Sequence, residues 1–107
     1  MLCAVRIKNK TMSKYKLPVN YEDLHWTERK EVRQQYIEEQ NGICHYCGCS
    51  LNDPAPKRIT DKKVNWSLFP KNFLQYPIHL QHCHKTGMTE GAVHNYCNAV
   101  MWQYEGR

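Results

Sequence analysis

A chain of 107 residues is sized for one domain with a modest apolar core, so a metal or a disulfide is expected to help hold it together. No apolar run is long enough to span a bilayer, and Met1 to Arg6 lack a secretory h-region; both point to the cytoplasm, where paired cysteines favour metal binding over disulfides. The net charge of +5 fits a polyanionic partner, a weak signal on its own.

Residues 1–26 read as a basic N-terminal arm. Arg6, Lys8, Lys10, Lys14 and Lys16 come before any acid, as in a solvated segment or one that seeks phosphate. Ala4 to Ile7 can add a short strand. Thr27 to Gln40 is predicted as a helix, with Thr27 at the N-cap, Glu28 in the first turn and Gly42 as a left-handed residue at the end. Val32, Tyr36 and Ile37 form its core stripe. Arg29 and Arg33, one helical turn apart, read as a solvated face.

Cys44-His45-Tyr46-Cys47 is a C-x-x-C knuckle, and His94-x-x-Cys97 supplies a second pair of ligands far along the chain. Four N and S donors in two such pairs suit one tetrahedral Zn²⁺. Cys49 is a competing neighbour, and Cys47 is preferred for its spacing from Cys44. Between the two pairs, residues 52–77 form an irregular insertion that opens on Asn52-Asp53-Pro54-Ala55-Pro56. Lys57, Arg58, Lys62, Lys63 and Lys71 interleave there with Trp66, Phe69 and Phe73. The rings can pack over a small core, and the cations can face a nucleic acid.

Ile78 to His84 is predicted as a strand, Lys85-Thr86-Gly87 as a turn, Met88 to Val93 as the returning strand, and Asn95 to Tyr104 as a helix. His79 reads as a structural or surface residue.

The helix before Gly42-Ile43-Cys44-x-x-Cys47, the strand and turn Gln81-His82-Cys83-His84-Lys85-Thr86-Gly87, and Gly91-Ala92-Val93-His94-Asn95-Tyr96-Cys97-Asn98 together resemble the HNH nucleases (ββα-metal, His-Me finger). Within that group they are most similar to the phage recombination endonuclease VII branch and small phage HNH proteins. The resemblance implies an α+β chain: a small zinc-stabilised ββα-metal fold with an additional N-terminal helix, over residues 27–107. It implies a structural zinc on Cys44, Cys47, His94 and Cys97. It places His82 on the general base, His84 on a second histidine near the scissile phosphate, and Asn98 on the terminal N of the family name. Gln81 falls where the family has an Asp or His metal ligand, and Cys83 replaces a second acid.

The activity so implied is metal-dependent hydrolysis of a DNA phosphodiester, on double-stranded DNA, in the host cytoplasm if the chain is phage-encoded; a monomer is the default expectation, with a dimer open. His82 takes a proton from water, and one divalent ion near Gln81, His84 and Asn98 neutralises charge. Without a carboxylate, either dependence on softer ions such as Mn²⁺, Ni²⁺ or Co²⁺ rather than Mg²⁺, or low activity, is expected. Lys85, Arg58, Lys62 and Lys63 are the expected nucleic-acid contacts. The competing readings are a zinc-binding DNA-binding module that has lost catalysis, favoured by Gln81 and Cys83, and a zinc-stabilised protein-interaction domain.

Overall fold

The computed structural model describes residues 14–106. The expected strand Ala4 to Ile7 and the arm cations Arg6, Lys8 and Lys10 lie outside the described residues. In chain order come a 3-10 turn at Tyr21–Asp23, helix α1 (Trp26–Glu39), a short helix α2 (Lys57–Thr60), two more 3-10 turns at Trp66–Leu68 and Phe73–Gln75, strands β1 (Ile78–His82) and β2 (Thr89–His94), and helix α3 (Asn95–Val100). The class is α+β. No helix among the described residues is long and apolar enough to cross a membrane.

Helix α1 starts one residue earlier than predicted, and its N-cap is His25. The imidazole Nδ1 of His25 accepts from Thr27 N, and the Glu28 carboxylate accepts from His25 N at 2.8 Å. This reciprocal pair satisfies two amides that the helix leaves open. Thr27 therefore lies inside the first turn. At the far end Asn41 and Gly42 both have positive φ, and Gly42 N returns to Ile37 O at 2.8 Å. That closes the helix in the left-handed manner expected of Gly42.

The predicted hairpin forms. β1 and β2 run antiparallel, with Ile78 opposite His94 and Leu80 opposite Ala92. Beyond Gln81 opposite Gly91 the register slips, so His82 faces Thr89 and Glu90 becomes the extra residue of a bulge. A bulge twists a strand and re-aims its side chains. Cys83 and His84 belong to the turn rather than the strand, and Gly87 takes φ +80 there.

The helix after β2 is α-helical only to Val100, then widens to a π form over Met101–Glu105. Its buried side, Cys97, Val100 and Met101, joins Val32 and Tyr36 of α1, Leu80, Ala92 and Val93 of the hairpin, Leu51 just after the knuckle and Ile59 of the insertion in one core. Fully burying one such side chain contributes about 1.5–3 kcal/mol. About a dozen of them make the small core anticipated from length.

The outer edge of β2 is covered. Gln40 at the end of α1 donates through Nε2 to Ala92 O at 2.9 Å and accepts from Ala92 N through Oε1 at 2.9 Å. His45 N in the knuckle donates to the same carbonyl at 3.0 Å. Backbone groups of an edge strand are thus satisfied by one amide side chain and one loop.

The expected free arm is not free over residues 14–24. Gln35, buried on α1, accepts from Lys14 N and Tyr15 N and donates to Tyr15 O. Thr89 Oγ1 accepts from Val19 N at 3.0 Å, Thr89 N donates to Val19 O at 2.8 Å, and Tyr21 N donates to Gly87 O at 2.8 Å. The segment straps the hairpin turn to α1 and delivers Tyr21 beside His82.

Candidate metal centre and adjoining pocket

The knuckle brings Cys44 and Cys47 to one side of a point that His94, the last residue of β2, and Cys97, in the first turn of α3, reach from the other. The four ligand atoms lie within 4.8 Å of one another, and all four residues are buried. Cys47 Sγ stands 3.4 Å and Cys97 Sγ 3.6 Å from His94 Nδ1. Zn–S and Zn–N bonds of ordinary length put tetrahedral ligands about 3.5–3.8 Å apart, so the cluster can hold a metal ion such as zinc.

The local backbone is shaped for this. Gly48, at φ +78, lets the chain leave the knuckle, and Tyr46 N points at Cys44 Sγ at 3.4 Å. His94 Nε2 donates to both Ser50 O and Asp53 O at 2.9 Å. That bond fixes the tautomer and leaves the Nδ1 lone pair facing the thiols, the orienting role carbonyls play for metal-bound imidazole. A hydrogen bond from Cys97 holds the Cys44 thiol down to about 4, while the proton given to Cys44 and burial push Cys97 far up. Cys49 remains at the margin, its Sγ 4.0 Å from Cys47 O.

A cavity of about 490 Å³ opens between α1, β1, α3 and the insertion. His82, His84 and Asn98 line it, together with His79, Tyr21, Arg29 and Arg33. No carboxylate is among the described residues that line it. Gln81 does not line it either. It is 1 % exposed, its Nε2 donates to Glu90 Oε1 at 2.6 Å, and its Oε1 is buried without a partner. The expected ligand position is therefore turned into the body of the hairpin at the bulge. Asn98 meets His79 instead, with Nδ2 3.1 Å from His79 Nδ1, and His79 Nε2 is bonded to Phe73 O at 3.0 Å.

The His82 ring stacks on Tyr21, with centroids 4.0 Å apart and planes 13° from parallel. His84 stands 4.8 Å from His82, centroid to centroid. Among the described residues, none hydrogen-bonds to the ring of His82 or His84. Burial holds the His82 imidazole below its ordinary value, helped by His84 and Arg29 and opposed by Glu22 and Glu90. The ring is consequently neutral at pH 7, with a nitrogen able to accept a proton.

The predicted nucleic-acid contacts lie elsewhere. Arg58 donates to Cys47 O at 2.6 Å and so braces the knuckle. Lys62 sits over the Tyr104 ring, Lys63 lends its carbonyl to Gln103 and Tyr104, and Lys85 is exposed on the hairpin turn. The cavity cations are Arg29 and Arg33, read from the sequence as solvated. Their spacing on one helix face was the available signal. The amides of Asn95 and Tyr96 are taken by Pro77 O and by the Asn95 side chain, so these two N–H groups are not open to an anion.

The chain matches no family model, no curated protein and no solved structure with which it was compared.

Proposed function

We propose that the chain is a DNA endonuclease on an HNH-type ββα-metal scaffold, hydrolysing phosphodiesters with His82 as general base. The observation that supports this most is His82 itself: neutral, free of hydrogen bonds among the described residues, and held on Tyr21 at the mouth of a cavity with two guanidiniums. A neutral imidazole near pH 7 is the side chain best matched to taking a proton from water. Arg29 and Arg33 suit the anionic phosphate and the charge that grows on it. His84 stands where it can bond a phosphate oxygen beside the base.

The donor set does not suit every catalytic ion. His84 offers an imidazole and Asn98 an amide, His79 has both ring nitrogens hydrogen-bonded, and no carboxylate of the described residues lines the cavity. Imidazole fits a borderline ion such as Mn²⁺, Co²⁺ or Ni²⁺, whereas Mg²⁺ favours charged oxygens. When bound, such an ion would neutralise charge on the transferred phosphate. The experiment is plasmid nicking by the zinc-loaded protein across a panel of divalent ions, with His82→Ala as control. Cutting by the parent in Mn²⁺, Co²⁺ or Ni²⁺, and none by the variant, is the expected result. Activity with Mg²⁺ alone, or an active variant, counts against the reading.

A second reading is a zinc-stabilised DNA-binding module without catalysis. The burial of Gln81 away from the cavity favours it, because it removes the ligand that the resemblance required. Salt-dependent DNA binding without cutting under any ion would support it.

A further inference from the structure

The cavity has two unlike halves. Arg29 and Arg33 make one of them cationic, and His82 and His84 add ring nitrogens to it. The other is walled by rings of the insertion and of the π-helical turn after α3: Phe69, Phe73, Tyr76 and Trp102. Phe69 and Phe73 hold each other with centroids 4.7 Å apart, and Trp102 meets Phe69 edge-on at 5.5 Å. Tyr76 is 54 % and Trp102 40 % exposed, so ring surface is left uncovered where the wall meets solvent.

Charge complementarity identifies the occupant. Arg29 spends Nε and one terminal nitrogen on Tyr21 O, which leaves three of its five N–H donors. Nothing among the described residues pairs with the Arg33 guanidinium, and no acid lines the cavity. An anion on this side and a flat apolar ring on the other describe a nucleotide. A volume of about 490 Å³ is of the size that small-ligand sites use, about 300–1,000 Å³.

We propose that the cavity takes one unstacked nucleotide, its base against the ring wall and its phosphate at Arg29 and Arg33, so that unpaired DNA is the favoured substrate. The inference rests on the phosphodiesterase reading for the cutting and on the cavity alone for the binding. A base inside a duplex is stacked and paired and cannot reach the wall without unstacking, which costs a few kcal/mol. In a single strand or bulge that cost is small. Stacking on aromatic side chains is also tolerant of base identity.

The test uses the zinc-loaded chain in calorimetric titrations with dAMP, deoxyribose 5-phosphate and inorganic phosphate. The expected result is dAMP binding about tenfold or more tightly than the sugar phosphate. Tyr76→Ala and Trp102→Ala should each weaken dAMP severalfold and leave inorganic phosphate unchanged, whereas Arg33→Gln should weaken all three. A single-stranded oligonucleotide should be cut about tenfold or more faster than the same strand in a perfect duplex. Equal affinity for dAMP and the sugar phosphate, or equal cutting of single strand and duplex, overturns the proposal. Base-selective binding without cutting under any ion supports it and leaves the nuclease reading as the one that failed.

Discussion

Tyr21 and His82 lie face to face although sixty-one positions separate them, their ring centroids 4.0 Å apart. The Arg29 guanidinium carbon is 3.9 Å from the same Tyr21 ring, too close for it to share a face with His82. Tyr21 is thus a spacer between a cation and the proposed base, and it excludes water from one face of the imidazole. Tyr21→Ala should lower stability by about 1–3 kcal/mol. It should also let the His82 imidazole titrate closer to its ordinary value, because burial is the main force holding it down. Tyr21→Phe keeps the stack and should do neither. Ring-proton NMR across pH, with thermal denaturation, reads both effects.

The pH dependence follows from two imidazoles. Burial pushes both His79 and His82 below their ordinary value. The folded state therefore binds fewer protons than the unfolded chain just below pH 6.5, so stability falls there as pH drops. Their contribution is fully present above about pH 6.5 and is lost as pH falls through the depressed folded values. Cleavage, which needs neutral His82, should hold its rate to below about pH 6.5 before the acid limb sets in. Denaturation and nicking assays at saturating zinc across pH 5 to 8 check the two limbs. An acid limb centred above 6.5 would contradict the buried-base assignment.

At the metal centre, strong chelation or Cys44→Ser should unfold the chain. The binding energy of a structural zinc, about 10–16 kcal/mol in small peptides, is folding energy in a chain with so few core residues. His94→Cys should retain the ion. It should nevertheless cost about 1–3 kcal/mol, because the Ser50 and Asp53 carbonyls lose the Nε2–H they share. Metal content by atomic spectroscopy and melting temperature separate ligand loss from carbonyl loss. A His94→Cys protein as stable as the parent would show that those carbonyls find water.

Gly91 is a test of how α1, the knuckle and β2 fit. A Cβ built there would meet Gln40 Oε1 and the Cβ and Cγ of His45, each at 2.9 Å. The Gln40 amide is pinned by Ala92 and Ile43, and the His45 Cβ is attached to backbone bonded to Ala92 O. Neither can move cheaply. Gly91→Ala should destabilise by about 1–3 kcal/mol in denaturant titration, with the ion still bound.

The metal cluster was readable because a C-x-x-C and an H-x-x-C are short-range signatures that need only one long-range meeting. The hairpin and α1 were readable because turn glycines and apolar spacing are local too. The strap at residues 14–24 was not. It is held by hydrogen bonds to Gln35, Thr89 and Gly87, all distant in sequence, and its basic composition resembles that of a solvated arm. His79 reads from the sequence as structural or surface, and in the fold it is hydrogen-bonded on both ring nitrogens and lines the cavity. The bulge at Gln81 and His82 has no sequence signature, and it is what decides which neighbours of His82 share its cavity.

Gln81 carries the sharpest consequence of that bulge. On the resemblance alone, Gln81→Asp should restore a metal ligand and raise activity. In the structure the side chain is buried, with the Glu90 carboxylate 2.6 Å from its amide nitrogen. An aspartate there would place a second negative charge beside Glu90 in a site closed to water. Such a charge either takes up a proton or destabilises the fold, typically by about 3–5 kcal/mol when a buried charge lacks a partner. Gln81→Asp should therefore lower the melting temperature, most at high pH, and leave the ion preference of cutting unchanged. Gln81→Leu removes the unpartnered Oε1 together with the Nε2–H that Glu90 accepts, so it should cost about 1–3 kcal/mol of stability and leave the ion preference of cutting unchanged. Enhanced Mg²⁺-dependent nicking by Gln81→Asp would mean that the side chain swings into the cavity, and would return it to the ligand role.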